Sequence, residues 1–193
     1  MSKTREDAWA LVTEFTQSDT LKRHMLSVEA AMRAYARKHG EDEERWAVVG
    51  LIHDFDYERY PTEHPHSNVR ILRERGWPED LILDAYSHGD TGLPRDTPIR
   101  KAIFAVDEMS GFIIACALVK PDKSVGSVEP AGVRKKMQDK AFARAVHRDE
   151  LLAGAELLGV PFDEHVATVR DALKPIATQL GLQPCARSCR PWS

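Results

Sequence analysis

Three cysteines in 193 residues are too few, and wrong in number, for a disulfide framework. Cys116 falls in an apolar helical pattern and Cys185 and Cys189 stand in the tail, so the three make no zinc ribbon and are read as reduced, non-functional thiols. No apolar run reaches the ~18 residues of a membrane span. The start, MSKTREDAWALV, lacks the basic and then apolar layout of a secretory signal, so a cytoplasmic location without membrane contact is expected. The formal net charge of −3 gives no electrostatic case for nucleic acid, and no basic stripe is interleaved with aromatics; Lys and Arg cluster only after residue 119. Alternation of period two over strand length, internal repeats and low-complexity linkers are missing as well.

What remains is a soluble globular composition, 42% apolar and 30% charged, with helical periodicity throughout. An all-α fold is predicted. Glu6 to Phe15 reads as a first helix. A second begins at the Ser18-Asp19 cap and stops at Gly40, and a third runs from Asp42 to Ile52. SNVRILRERG makes a fourth ending at Gly76, Pro78 opens a fifth in PEDLILDAYSHG, and PIRKAIFAVDEMSGFIIACALVK is a long apolar helix expected at the centre. AGVRKKMQDKAFARAVHRDELLAGAELLG reads as one or two helices, and PFDEHVATVRDALKPIATQLG as a last one.

The third helix runs into GLIHDFDYERY, residues 50–60, which places His53 and Asp54 directly after an apolar run. Unpaired polar groups there cost free energy. A satisfied helix end, an acid/base pair and two ligands of one metal ion all explain such a pair. An HD dipeptide is itself expected by chance about 0.6 times at this composition, so its surroundings must decide. His24 shares a helix face with Leu21, Val28, Ala31 and Tyr35; Asp107 follows Ile103 by four residues on the most apolar helix; His88 closes the fifth helix on the face of Leu81 and Ala85. Two imidazoles and two carboxylates on apolar faces of separate helices each carry a burial cost. One divalent cation offsets them together, by coordination and charge. Adjacent helical residues point about 100° apart, so His53 and Asp54 reach one ion only where the helix ends, as the turn at Pro61 allows.

His24, then His53-Asp54, then Asp107 on successive helices resembles the H…HD…D signature of the HD-domain superfamily of helical metal-dependent phosphohydrolases. The longer runs KRHMLSVEAAMRAYARKHGEDEERWAVVGLIHDFDYERYPTEHP and YSHGDTGLPRDT, with KAIFAVDE and KKMQDKAFARAV, resemble an uncharacterised bacterial branch of predicted HD hydrolases. The resemblance implies an HD-domain helical bundle: one domain over residues 1–182, its metal core roughly 18–118, helices 131–182 packed on it, and a tail from 183 to 193. It also implies one or two divalent ions (Mn, Fe, Zn, Co, Ni or Mg), with His24, His53, Asp54 and Asp107 on the first. HPHSNVRIL resembles the stretch that supplies a second-metal histidine in dinuclear members, which puts His64 on that position; His88 matches the next histidine, and Asp54 is then the bridge. His66 has no counterpart.

The implied chemistry is hydrolysis of a small phosphorylated or nucleotide substrate, a phosphomonoester or phosphodiester. Bound ions there neutralise phosphoryl oxygens and lower the pKa of water from ~15.7 toward ~7. Asp54 is then catalytic as the bridge, and Asp56 and Glu58 are the candidates for a general base or water-orienting group. Lys123 and Lys136, from the basic segment after the Asp107 helix, are the candidates to grip the phosphate. Two other readings stand beside this one: a diiron oxygenase that cleaves a C–C or C–P bond with the same ligand types, and a non-catalytic binding module on the same fold. Substrate, native metal and oligomeric state are not legible.

Overall fold

Thr4 and Asp7 open the first helix by mutual capping: the Thr4 hydroxyl accepts from the Asp7 amide at 3.2 Å, and the Asp7 carboxylate accepts from the Thr4 amide at 2.9 Å. The computed structural model describes residues 3–183; Cys185, Cys189 and nearly all of the expected tail lie outside them. Among the described residues the regular elements are helical, apart from one isolated bridge between Ser124 and Gln183. They are α1 (Arg5–Phe15), α2 (Asp19–His39), α3 (Glu43–Ile52), α4 (His66–Glu74), α5 (Glu79–Tyr86), α6 (Pro98–Leu118), α7 (Pro130–Met137), α8 (Arg148–Leu158) and α9 (Phe162–Leu173), with short 3₁₀ turns at Val125–Ser127 and Lys174–Ile176. None of these helices is long and apolar enough to cross a membrane.

The expected all-α architecture is present. α2 and α6, 21 residues each, pack on one another and carry the rest: α3 and α9 lie on α2, and α8 and α9 on α6. One apolar core runs from Ala8 to Leu182, with Tyr35, Phe55, Phe112 and Met109 fully buried. Two glycines set the closest approaches. A Cβ at Gly50 would lie 2.9 Å from Glu29 Cα, and one at Gly154 would lie 2.7 Å from Ala105 Cα, so α3 on α2 and α8 on α6 meet backbone to backbone.

α3 is buried on all sides from Trp46 to Ile52. Val48, Val49, Leu51 and Ile52 each contribute ~1.5–3 kcal/mol of burial, which outweighs ending the helix inside the protein. Its last carbonyls still need donors. Asn68 of α4, itself fully buried, supplies them, donating through Nδ2 to Ile52 O at 2.6 Å and His53 O at 3.0 Å. Buried charges are paired as well. Glu29 receives Arg5 and Arg33, and Asp84 receives Arg45 of α3 and Arg100 of α6.

The structure decides one point the periodicity left open and departs from the periodicity at another. Between Met137 and Arg148 the chain turns, with Ala143 at φ +42°, and α7 and α8 separate. Arg148 gathers the carbonyls of this turn, Met137 O at 3.1 Å and Asp139 O at 2.9 Å, together with that of Phe142, and so replaces helical hydrogen bonds. The last helix ends at Leu173 because Pro175 has no amide to donate.

Candidate metal centre

Five segments deliver the polar side chains to one place. α2 brings His24, the end of α3 brings His53 and Asp54, the turn before α4 brings His64, the residue after the Ser87 cap of α5 is His88, and the middle of α6 carries Asp107. Their donor atoms form two groups, His24, His53 and Asp107 in one, and Asp54, His64 and His88 in the other. In the first, His24 Nε2 lies 3.2 Å from His53 Nε2 and 3.0 Å from Asp107 Oδ1, and His53 Nε2 lies 3.5 Å from Asp107 Oδ1. In the second, His64 Nε2 is 3.0 Å from His88 Nε2. Asp54 joins the two groups. Its Oδ2 is 3.7 Å from His24 and 3.6 Å from His53, and its Oδ1 is 3.2 Å from His64 and 3.4 Å from His88. Neighbouring ligands at ~2.1 Å from one ion lie about 3.0–3.4 Å apart, so the shorter of these separations match a coordination shell and the longest, 3.7 Å, exceeds one by a few tenths of an ångström.

The outer ring nitrogens point the same way. His53 Nδ1 donates to Gly50 O at 2.8 Å, His88 Nδ1 to Ala85 O at 2.7 Å, and His64 Nδ1 to Asp56 Oδ1 at 2.9 Å. Each partner accepts only, so the proton sits on Nδ1 and the neutral ring presents a bare Nε2 inward. Two bare acceptors 3.0 Å apart, as in His64 and His88, repel unless a proton or a cation lies with them. With protons alone, burial lowers the pKa of His53, but Asp54 and Asp107 outweigh it and lift the ring to about 9. His64 behaves alike: burial opposes, Asp54 and Asp56 prevail, and the value is about 9. Asp54 and Asp107 are held well below the carboxylate range by the same rings, against the opposing effect of burial. A divalent cation takes the place of those protons, so the donor set fits a metal.

Asp56 and Glu58 stand apart from this cluster, and each has a different job. Asp56 is fully buried behind His64; it accepts from His64 Nδ1, from the Ser67 hydroxyl and, at 3.4 Å, from Asn68 Nδ2. It orients the His64 ring and does not meet solvent, which argues against a role as general base. Glu58 is exposed and reaches back to the amides of Gln17 at 3.0 Å and Ser18 at 2.9 Å, where it ties down the start of α2. His66, whose Nδ1 pairs with the Tyr86 hydroxyl at 2.8 Å, is also outside the cluster. Arg95 braces the His88 loop by donating to Ser87 O at 2.8 Å and Gly89 O at 2.6 Å, with its guanidinium 3.9 Å over Phe104.

The cluster opens into a cavity of about 650 Å³ lined by His24, Asp54, His64, His88 and Asp107. Sequence reasoning missed the rest of its wall: Tyr57, Asp90, Glu108, His147 and Glu150. Burial, reinforced by Asp107 and Glu150, raises Glu108 to about 8. Glu150 is raised too, first by burial and then by Asp107 and Asp149. No Lys or Arg lines this cavity among the described residues, so Lys123 and Lys136 are not brought to it. Lys123 sits in the turn after α6, where its carbonyl accepts from the Gln183 amide, and Lys136 lies over the Phe142 ring.

Residues 21–109, the span from α2 to the middle of α6, match the family model described as the HD domain. No curated protein matches the chain.

Proposed function

We propose, from the match of residues 21–109 to the HD domain, a family mostly of metal-dependent hydrolases, that this chain hydrolyses a phosphomonoester or phosphodiester at a centre of two divalent cations. His24, His53 and Asp107 are the residues to hold one ion, His64 and His88 the other, and Asp54 both. The observation that carries this reading is Asp54 with one oxygen toward each histidine pair, together with the facing Nε2 atoms of His64 and His88 at 3.0 Å. Bound there, the ions supply charge neutralisation of phosphoryl oxygens and a lowered pKa for water.

The chain's own contribution is orientation and proton handling. Asp56 fixes the His64 tautomer, and Gly50 O and Ala85 O fix those of His53 and His88. Glu108 and Glu150, which face the cavity, are the groups on hand to exchange a proton with a leaving alcohol. With Asp90, Glu108 and Glu150 on the wall and no Lys or Arg in the lining among the described residues, the cavity favours a substrate with a single phosphoryl group over a triphosphate. The same lining supports a second reading, oxidation of an uncharged substrate by a diiron centre on the same six donors.

Elemental analysis of protein purified without added metal, followed by phosphate release from sugar phosphates and nucleotides with oxygen uptake recorded in parallel, tests both. Two ions per chain and phosphate release support the hydrolase. Two irons with oxygen uptake and no phosphate select the oxygenase. A protein that neither carries nor takes up metal overturns both.

A further inference from the structure

The basic segment that stays away from the metal centre encloses a cavity of its own. Between the end of α6 and α7 lies a pocket of about 340 Å³, near the lower end of the ~300–1,000 Å³ range of small-molecule sites. Lys120, Lys135 and Lys136 stand around it, and Cys116, Val119, Pro121 and Val128 give it apolar walls. It shares no lining residue with the cavity over the metal cluster. Cys116 and Val128 are buried, whereas Val119 at the mouth is 56% exposed and the adjacent Leu118 48%.

Three features make this more than a solvated run of lysines. Among the described residues none of the three ammonium groups has a carboxylate within 4 Å; the one acid in the lining, Glu129, lies 3.6 Å from Arg170. Lys136 is held in place, with its Nζ 4.7 Å over the Phe142 ring, whose edge packs on Phe112 at 5.5 Å between centroids. Gly132 lines the pocket from within α7, where glycine weakens a helix relative to alanine, and a Cβ built on it meets no atom within 4 Å. Its missing side chain leaves the pocket open.

We propose that this pocket binds a small amphipathic anion, a carboxylate or phosphate on a short apolar body, at a site separate from the metal centre. The lysines take the charged head by charge-assisted hydrogen bonds, and the Cys116–Val128 walls take the body. Either half alone is a weak reason to bind. Together they select a molecule that has both.

Calorimetric titration of the full chain with octanoate, octanol and inorganic phosphate tests this, with each ligand run also on Gly132→Leu and on the double variant Lys135→Ala/Lys136→Ala. Octanoate is expected to bind one to one, at least about tenfold tighter than octanol or phosphate. Gly132→Leu, which projects into the pocket from a position where the Cβ meets no atom within 4 Å, and the lysine double variant should each raise its Kd about tenfold or more with circular dichroism and metal content unchanged. Equal binding of octanoate and octanol, equal binding of octanoate and phosphate, or a Gly132→Leu protein that binds octanoate as the parent does, overturns the proposal.

Discussion

Replacing Asp56 by Asn separates the two halves of the metal cluster. The Asp56 carboxylate is fully buried and accepts the Nδ1 proton of His64 at 2.9 Å, while its other oxygen receives the Ser67 hydroxyl. Asn keeps the acceptor for His64, and its amide can donate to Ser67 once that hydroxyl turns, so the packing survives. The negative charge behind His64 is lost, and with it part of the basicity of Nε2. Losing such a partner typically weakens metal binding by tenfold to a hundredfold, about 1.4–2.8 kcal/mol. The effect should fall on the ion held by Asp54, His64 and His88. Among the described residues none of His24, His53 and Asp107 is hydrogen-bonded to the Asp56 side chain, which receives His64, Ser67 and Asn68. Asp56→Ala is the poorer probe, because it strands the donors of Ser67 and Asn68 at about 1–3 kcal/mol each. Calorimetric titration of metal-stripped protein with Mn²⁺ reads the two steps directly. Equal weakening of both, or of neither, refutes the assignment of Asp56 to one ion.

Glu58→Ala should leave metal content and activity intact and cost about 0.5–2 kcal/mol of stability by removing the acceptor at the start of α2, which urea denaturation measures. Gly50→Ala should destabilise by about 1–3 kcal/mol and lower metal retention, because a methyl 2.9 Å from Glu29 Cα pushes α3, and His53 with it, off α2; thermal melting and metal analysis read both effects. His165 is buried, with Nδ1 at 2.7 Å from the Tyr35 hydroxyl and Nε2 donating to Ala105 O, and burial depresses its pKa to about 4. The unfolded chain takes up that proton near pH 6.5. The contribution of His165 is therefore intact above 6.5 and is lost as pH falls toward 4, at about 1.4 kcal/mol per pH unit, and an NMR titration should show the ring neutral at pH 5.

Much of this centre was legible because its residues contradict their surroundings. His24, His53 and Asp107 interrupt apolar faces, and that anomaly survives without coordinates. His88 was legible on the face of Leu81 and Ala85, although the helix stops two residues before it, whereas His64 was found by resemblance alone, since a turn has no periodicity to violate. Asp56 and Glu58 look alike in one dimension; one turns inward behind His64, and the other crosses forty residues back to Ser18, which only the path of the turn decides. The acidic wall was illegible for a related reason. Glu108 reads as a solvated neighbour of Asp107, and Glu150 reaches the cavity only because the Arg148 turn folds α8 back along α6. The basic segment declared its charge but not its direction. Its lysines face their own pocket because α7 packs beyond the end of α6.

The central claim is a pair of ions with Asp54 between them. Anomalous scattering from a crystal of the chain grown with Mn²⁺ in excess measures it most directly. Two peaks ~3.5–4 Å apart are predicted, one contacted by His24, His53 and Asp107, the other by His64 and His88, with one Asp54 oxygen on each. A single fully occupied peak, with the rings of His64 and His88 turned away from it, contradicts the account.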